Sequence, residues 1–107
     1  MDIIETPIFT RQIQAIMPDE EYRTLQNTLT SNPTAGKLIP GSGGLRKLRW
    51  KASGRGKRGG SRIIYYWFTK REALLMLLAY KKKEQKDLKP QQIQQLRTLI
   101  TQELKDG

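Results

Sequence analysis

Apolar residues along this chain follow two rhythms. Near the N-terminus Ile8, Phe9, Ile13 and Ile16 recur at helical spacing, and Tyr22, Leu25 and Leu29 repeat the pattern. Thr6-Pro7 supplies a start for the first helix: a capping hydroxyl, then a proline at the first helical position, where no N–H is needed. Pro18 opens a second helix. Asp19, Glu20 and Glu21 fall in its first turn, where the helix dipole favours negative charge. Asn32-Pro33 ends it, because the residue before proline disfavours helical backbone. The pattern predicts an antiparallel helix pair.

The second rhythm has a period of two. Asp2 to Glu5 reads as a short first strand, and Lys37 to Ile39 as another, ended by Pro40 and the loop Gly41-Ser42-Gly43-Gly44. From Leu45 to Lys51 the residues alternate: Arg46, Leu48 and Trp50 point one way, Lys47, Arg49 and Lys51 the other. Ser61 to Phe68 is dense in β-branched and aromatic residues, as a central strand is. Its aromatics Tyr65, Tyr66, Trp67 and Phe68 are most simply packing residues. Thr69 to Glu72 forms a turn into a last strand, Ala73 to Tyr80. After a polar connection, Pro90 opens a C-terminal helix with Ile93, Leu96, Ile100 and Leu104 on one face. The order is β-α-α-β-β-β-β-α. It predicts one α+β domain over residues 1–107, with an antiparallel (mixed) sheet of four to five strands and the helices on one side.

Charge changes the picture. The 107 residues hold 20 Lys and Arg against 10 Asp and Glu, a net charge of +10. No acid lies between Glu21 and Glu72, a stretch with 12 Lys and Arg. A surface of one sign attracts polyanions, so nucleic acid is the first partner to consider and an anionic membrane surface the second. Cys and His are both missing, which removes disulfides, thiolate chemistry, the commonest general base and the commonest transition-metal ligand. No metal or cofactor is therefore expected. No apolar N-terminal segment follows a basic stretch, and Ala73 to Tyr80 is too short to span a bilayer, so a cytoplasmic protein without membrane contact is expected.

Three features carry candidate chemistry. Gly54-Arg55-Gly56-Lys57-Arg58-Gly59 matches G-x-G-x-x-G in letters. The dinucleotide fingerprint needs a helix after it, however, and here a strand follows. It reads instead as a basic loop whose Arg55, Lys57 and Arg58 either meet phosphates or are simply solvated. Lys47, Arg49 and Lys51 share one strand face, where like charges repel unless a polyanion lies across them. Arg62 would join that face if its strand pairs with theirs. Lys81-Lys82-Lys83 adds a further basic segment, and Asp87 reads as a helix N-cap before Pro90.

Three blocks resemble a known family: Gly43-Gly44-Leu45-Arg46-Lys47-Leu48-Arg49, then Gly56-Lys57-Arg58-Gly59-Gly60-Ser61-Arg62-Ile63-Ile64-Tyr65-Tyr66, then Tyr80-Lys81-Lys82-Lys83-Glu84 with Asp87-Leu88. They are similar to the conserved segments of RelE/ParE-superfamily toxins of type II toxin–antitoxin systems, in the HigB-like branch. The resemblance runs over essentially the whole chain. It implies an mRNA interferase that enters the A site of the 70S ribosome and cleaves translated mRNA, using the 2′-hydroxyl to attack the adjacent phosphate. It also implies contacts with rRNA and a cognate antitoxin, often a helix-turn-helix DNA-binding protein. By matching motifs, Lys47, Arg49, Arg62 and Lys82 are the catalytic candidates, while Arg46, Lys51, Arg55, Lys57, Arg58, Lys81 and Lys83 would bind RNA or the ribosome.

The residues suit that chemistry. Attack by the 2′-hydroxyl builds negative charge on phosphate oxygens, which fixed cations stabilise. Without His, acid and base must come from elsewhere, and a lysine among other cations has a route to a lowered pKa. The chain departs from the family in one respect. Some RelE-type toxins carry a Tyr just past the last strand, where Glu84 to Lys89 has none. Either Tyr80 or Tyr66 substitutes, or this branch works without it. Two other functions fit the composition: a ParE-like gyrase-inhibiting toxin and a non-catalytic nucleic-acid-binding module. The cationic face favours an RNA target over a protein one.

Overall fold

The structure is a computed structural model. It describes residues 1–51 and 60–106, without the side chains of 104–106. Strand β1 (Asp2–Glu5) leads into helix α1 (Pro7–Ile16) and helix α2 (Asp19–Ser31). Strands β2 (Lys37–Leu38), β3 (Arg46–Trp50), β4 (Ser61–Phe68) and β5 (Ala73–Lys81) follow, and helix α3 (Pro90–Asp106) closes the chain. The five strands form one sheet in the order β1-β5-β4-β3-β2.

The local signals act as expected. The Thr6 hydroxyl accepts from the Phe9 amide at 3.0 Å and itself donates to the Leu77 carbonyl at 3.1 Å. One cap thus starts α1 and fastens it to β5. The α2 helix ends at Asn32, before Pro33. The Tyr65 hydroxyl accepts from the Gly36 amide at 2.9 Å and donates to the Pro33 carbonyl at 2.6 Å, which fixes the connection into β2. A Cβ on Gly36 would meet the Tyr65 ring at 2.8 Å, so only glycine fits there.

One expectation is corrected. The helices do not share one side of the sheet. Phe9, Ile13, Met17, Leu25 and Leu29 of the helix pair pack with Leu48, Ile63, Tyr65, Leu74 and Met76 on one face. Leu96 and Ile100 of α3 pack with Leu45, Ile64, Phe68, Leu75 and Leu77 on the other. The reason is legible in β4 and β5, which are apolar on both faces and need cover on both. The sheet is mixed, as expected, with β1 pairing β5 in parallel and the other pairs antiparallel. The helix pair serves as the crossover and places the first strand at the edge opposite β2. Smaller differences lie at the ends: β2 stops at Leu38, β3 at Trp50, and β5 runs on to Lys81. A bulge at Ile64/Tyr65 leaves Leu77 between the register pairs Ile64↔Leu78 and Tyr65↔Met76. The Leu104 side chain, expected on the α3 apolar face, lies outside the described residues. Among the described residues no helix is long and apolar enough to cross a membrane.

Candidate functional site

Pairing of the strands builds a cationic row on the α3 side of the sheet. Arg49 of β3 lies directly opposite Arg62 of β4, and Arg62 directly opposite Tyr80 of β5. One step along the strands, Lys47 lies between Lys37 of β2 and Ile64 of β4. The alternation read from the sequence therefore holds: Lys47 and Arg49 share a face, and Arg62 joins it.

Arg62 does not sit on a wet face. It is only 7 % exposed, because β4 is an interior strand and its neighbours on either side carry Arg49 and Tyr80. Its Nη1 donates to the carbonyl of Ser61 at 3.2 Å. The backbone that aims it is held on both sides. The Gly60 carbonyl accepts from the Lys82 amide at 3.1 Å, and Gly60 itself has φ +56° with no room for a side chain, since a Cβ would lie 2.1 Å from the Trp50 carbonyl oxygen.

Tyr80 completes the row. Its hydroxyl is buried and has no hydrogen-bond partner among the described residues. Burial pushes its pKa up, the Asp87 carboxylate pushes it further, and the Arg62 guanidinium opposes both. The phenol is thus a proton donor at neutral pH, with its donor capacity unused. Tyr66, the other candidate for the tyrosine missing past the last strand, packs edge-on against Phe68 instead, with ring centroids 4.9 Å apart.

Asp87 is the residue that sequence reasoning placed wrongly. It is not a helix cap. Its carboxylate accepts from the Lys47 ammonium at 2.8 Å, across 40 positions of chain. That hydrogen bond and the Lys47 charge, followed by Arg49 and Lys86, hold its pKa below the usual carboxylate range. The cap of α3 is made from within: Gln92 Oε1 accepts from the Lys89 amide at 2.9 Å and from Gln85 Nε2 at 2.7 Å. A carboxylate between Lys86 and Lys89, in a basic segment, was the available signal, but nothing local names its distant partner.

The remaining candidates divide. Arg46 lies on the opposite face, where its Nη1 donates to the Gly36 carbonyl at 2.8 Å and steadies the turn into β2. Lys51 is exposed just beyond β3; Lys82 and Lys83 are exposed beyond β5, with Lys81 half-buried at its end. Arg55, Lys57 and Arg58 lie outside the described residues. Beside the row a cleft of about 430 Å³ opens, with Lys47, Arg49 and Asp87 among its lining residues. Lys37, also on its lining, was not singled out from the sequence.

A sheet flanked by a helix pair on one face and a C-terminal helix on the other, with its strands in this order, is the RelE-like fold. The solved structures it matches include the intact E. coli RelBE toxin–antitoxin complex, at TM-score 0.57 and 13% identity, covering 75% of this chain and 94% of that one. A mutant of the E. coli toxin RelE in the free state matches at TM-score 0.52 and 13% identity, covering 78% of this chain and 84% of that one. No known family model matches the sequence.

Proposed function

We propose that this protein is the toxin of a type II toxin–antitoxin pair, of the HigB-like branch, and that it cleaves messenger RNA on the ribosome. The observation that carries the reading is the pairing of Arg49 with Arg62, with Lys47 one step away. Like charges directly opposite each other destabilise a sheet, and burial of one of them adds to that. An anion bound across the row offsets both. The RelE-like fold supports the choice of a toxin, and the neighbour solved with its antitoxin supports a cognate antitoxin as partner.

The residues present suit cleavage by an internal nucleophile. The 2′-hydroxyl oxygen bonds to the adjacent phosphorus and loses its proton. The bond from phosphorus to the 5′-oxygen breaks, and that oxygen gains a proton. The products are a 2′,3′-cyclic phosphate and a 5′-hydroxyl. Negative charge grows on the non-bridging oxygens during this step. Arg62 is the rigid guanidinium able to grip them with two parallel hydrogen bonds. Lys47 and Arg49 add charge beside it, and Lys82 serves the strand end nearby. The Tyr80 hydroxyl, kept protonated by burial and without a hydrogen-bond partner among the described residues, is a further donor beside Arg62. Asp87 takes one of the three donors of the Lys47 ammonium, which leaves two for a phosphate. Lys51, Lys81, Lys83 and the basic loop with Arg55, Lys57 and Arg58 extend the contact toward ribosomal and messenger RNA, with Arg46 acting from behind the sheet.

The test uses the purified chain in a reconstituted translation system, with both new RNA ends mapped. Cleavage of translated mRNA, leaving cyclic-phosphate and 5′-hydroxyl ends and blocked by a 2′-O-methyl group at the cut, is expected. Equal cutting of naked RNA overturns the ribosome requirement. Salt-dependent binding to RNA with no cleavage in any setting identifies a non-catalytic module instead.

A further inference from the structure

Asp87 reaches Lys47 from the connection between β5 and α3, and its side chain is 76 % exposed. An exposed ion pair of this kind orders little by itself, because fixing two flexible side chains offsets most of its attraction. The carboxylate needs a fixed backbone behind it, and Gln85 supplies one. The amides of Glu84 and Gln85 donate to the Lys81 carbonyl at 3.0 and 3.3 Å, which closes the turn at the end of β5. The side-chain amide of Gln85 has two N–H groups and two acceptors: the Asp87 carbonyl at 2.9 Å, and Gln92 Oε1 of α3 at 2.7 Å. Just past Asp87, Leu88 packs against the core on the α3 side. The chain around Asp87 is thus pinned to β5, to α3 and to the core, while its carboxylate reaches β3. Capping of α3 accounts for the bond from the Lys89 amide to Gln92. It gives no reason for the bond from Gln85 to Asp87.

We infer that Gln85 is a positioning residue for the cleavage reaction: it holds the Asp87 backbone so that the carboxylate fixes the direction in which Lys47 presents its remaining donors. The inference rests on the RNA-cleaving reading above. A lysine carries its charge on a flexible stem with three rotatable donors. Asp87 engages one of them at 2.8 Å and so sets where the other two point. Such ordering acts on rate more than on affinity. An ammonium attracts a phosphate from many directions, but it stabilises charge growing on one oxygen only from a defined position. The lowered Asp87 pKa reports the same contact, since the hydrogen bond from Lys47 is its largest cause.

The experiment uses the full chain and its variants Gln85→Ala, Gln85→Met, Gln92→Glu, Asp87→Ala and the double variant Gln85→Ala with Asp87→Ala. Single-turnover cleavage is measured on programmed ribosomes at saturating protein, beside a thermal melt and an NMR titration of the Asp87 carboxyl. Gln85→Ala is expected to slow cleavage about tenfold without weakening ribosome binding. Gln85→Met, which keeps the bulk and loses both donors, should do the same. In both, the Asp87 inflection should move up toward the ordinary carboxylate range. Gln92→Glu, which keeps the acceptor, should stay near the parent in rate and inflection. Once Asp87 is Ala, Gln85→Ala should add nothing, because the two act in series. Full cleavage by both Gln85 variants of an active parent, or an Asp87 inflection that does not move, overturns the positioning role and leaves the RNA-cleaving reading standing. A Gln85→Ala loss that is undiminished without the Asp87 carboxylate, or a melt well below the parent's in both Gln85 variants, overturns it too and makes Gln85 a structural residue. A parent chain that cuts no translated mRNA overturns both.

Discussion

Replacing Arg62 with Gln separates activity from stability, because the terms acting on this side chain differ in size. Arg62 is paired with Arg49 across the strands, and two cations in close contact repel by at most about 4 kcal/mol at an effective dielectric near 20. Arg49 is exposed, so solvent screening cuts that to about 1 kcal/mol or less. Neutralising Arg62 removes this repulsion. It also removes the bond from Nη1 to the Ser61 carbonyl, worth about 0.5–1.5 kcal/mol. These two contributions are of similar size and opposite sign, and together they move the melting temperature by no more than about 5 °C. Cleavage has no such compensation. Losing a preorganised donor to a developing oxyanion costs about 10²–10³ in rate. Arg62→Lys should recover part of it, since the charge returns without the two-pronged grip. The assays are single-turnover cleavage on programmed ribosomes at saturating protein, growth inhibition, and a thermal melt of each variant. A folded Arg62→Gln protein with full activity refutes the reasoning. So does a fall in melting temperature well beyond 5 °C, which would make Arg62 a structural residue.

Further predictions concern the groups around the row. Asp87→Ala frees Lys47 and should tighten RNA binding at low salt while steepening its salt dependence by up to about one unit of slope; unchanged affinity would mean that the pair does not compete with phosphate. The depressed Asp87 pKa means that the pair persists at neutral pH and its contribution is lost only as pH falls through a value below the usual carboxylate range, so in an NMR titration Lys47→Met should return the Asp87 inflection upward. On the other face, the Glu5 carboxylate accepts from Tyr22 at 2.5 Å and from Thr10 at 2.6 Å, and Tyr22→Phe should lower stability by about 1–3 kcal/mol without touching cleavage. Burial first, then the bond to Glu5, raises the Tyr22 pKa, so its stabilising effect is complete below the ordinary tyrosine range and fades as pH rises through the raised value; an ultraviolet titration should find one phenol resisting ionisation. Gly60→Ala places a Cβ against the Trp50 carbonyl at a positive φ and should cost at least about 1–3 kcal/mol, with cleavage falling as Arg62 shifts; a stable, active variant would remove Gly60 from the aiming of that residue.

The elements themselves were legible in the sequence because their causes are local. Thr6-Pro7, Asn32-Pro33 and Pro90 mark helix ends by rules that act within a turn, and the alternation from Leu45 to Lys51 sorts side chains by a period that any strand imposes. For the same reason Lys47 and Arg49 were known to share a face before any partner strand was in place. Packing decided the rest. Strands apolar on both faces demand cover on both, yet their sequence does not say which helix takes which side, and α3 went opposite the helix pair. Whether Arg62 was wet or buried depended on β4 lying between β3 and β5, a matter of pairing across the sheet. The bond from Lys47 to Asp87 spans 40 residues, and Tyr80 lies opposite Arg62 only because β4 pairs with β5. Local propensity reaches a few residues along the chain, whereas burial, charge pairing and unmet hydrogen bonds are properties of neighbours in space, which only the folded sheet brings together.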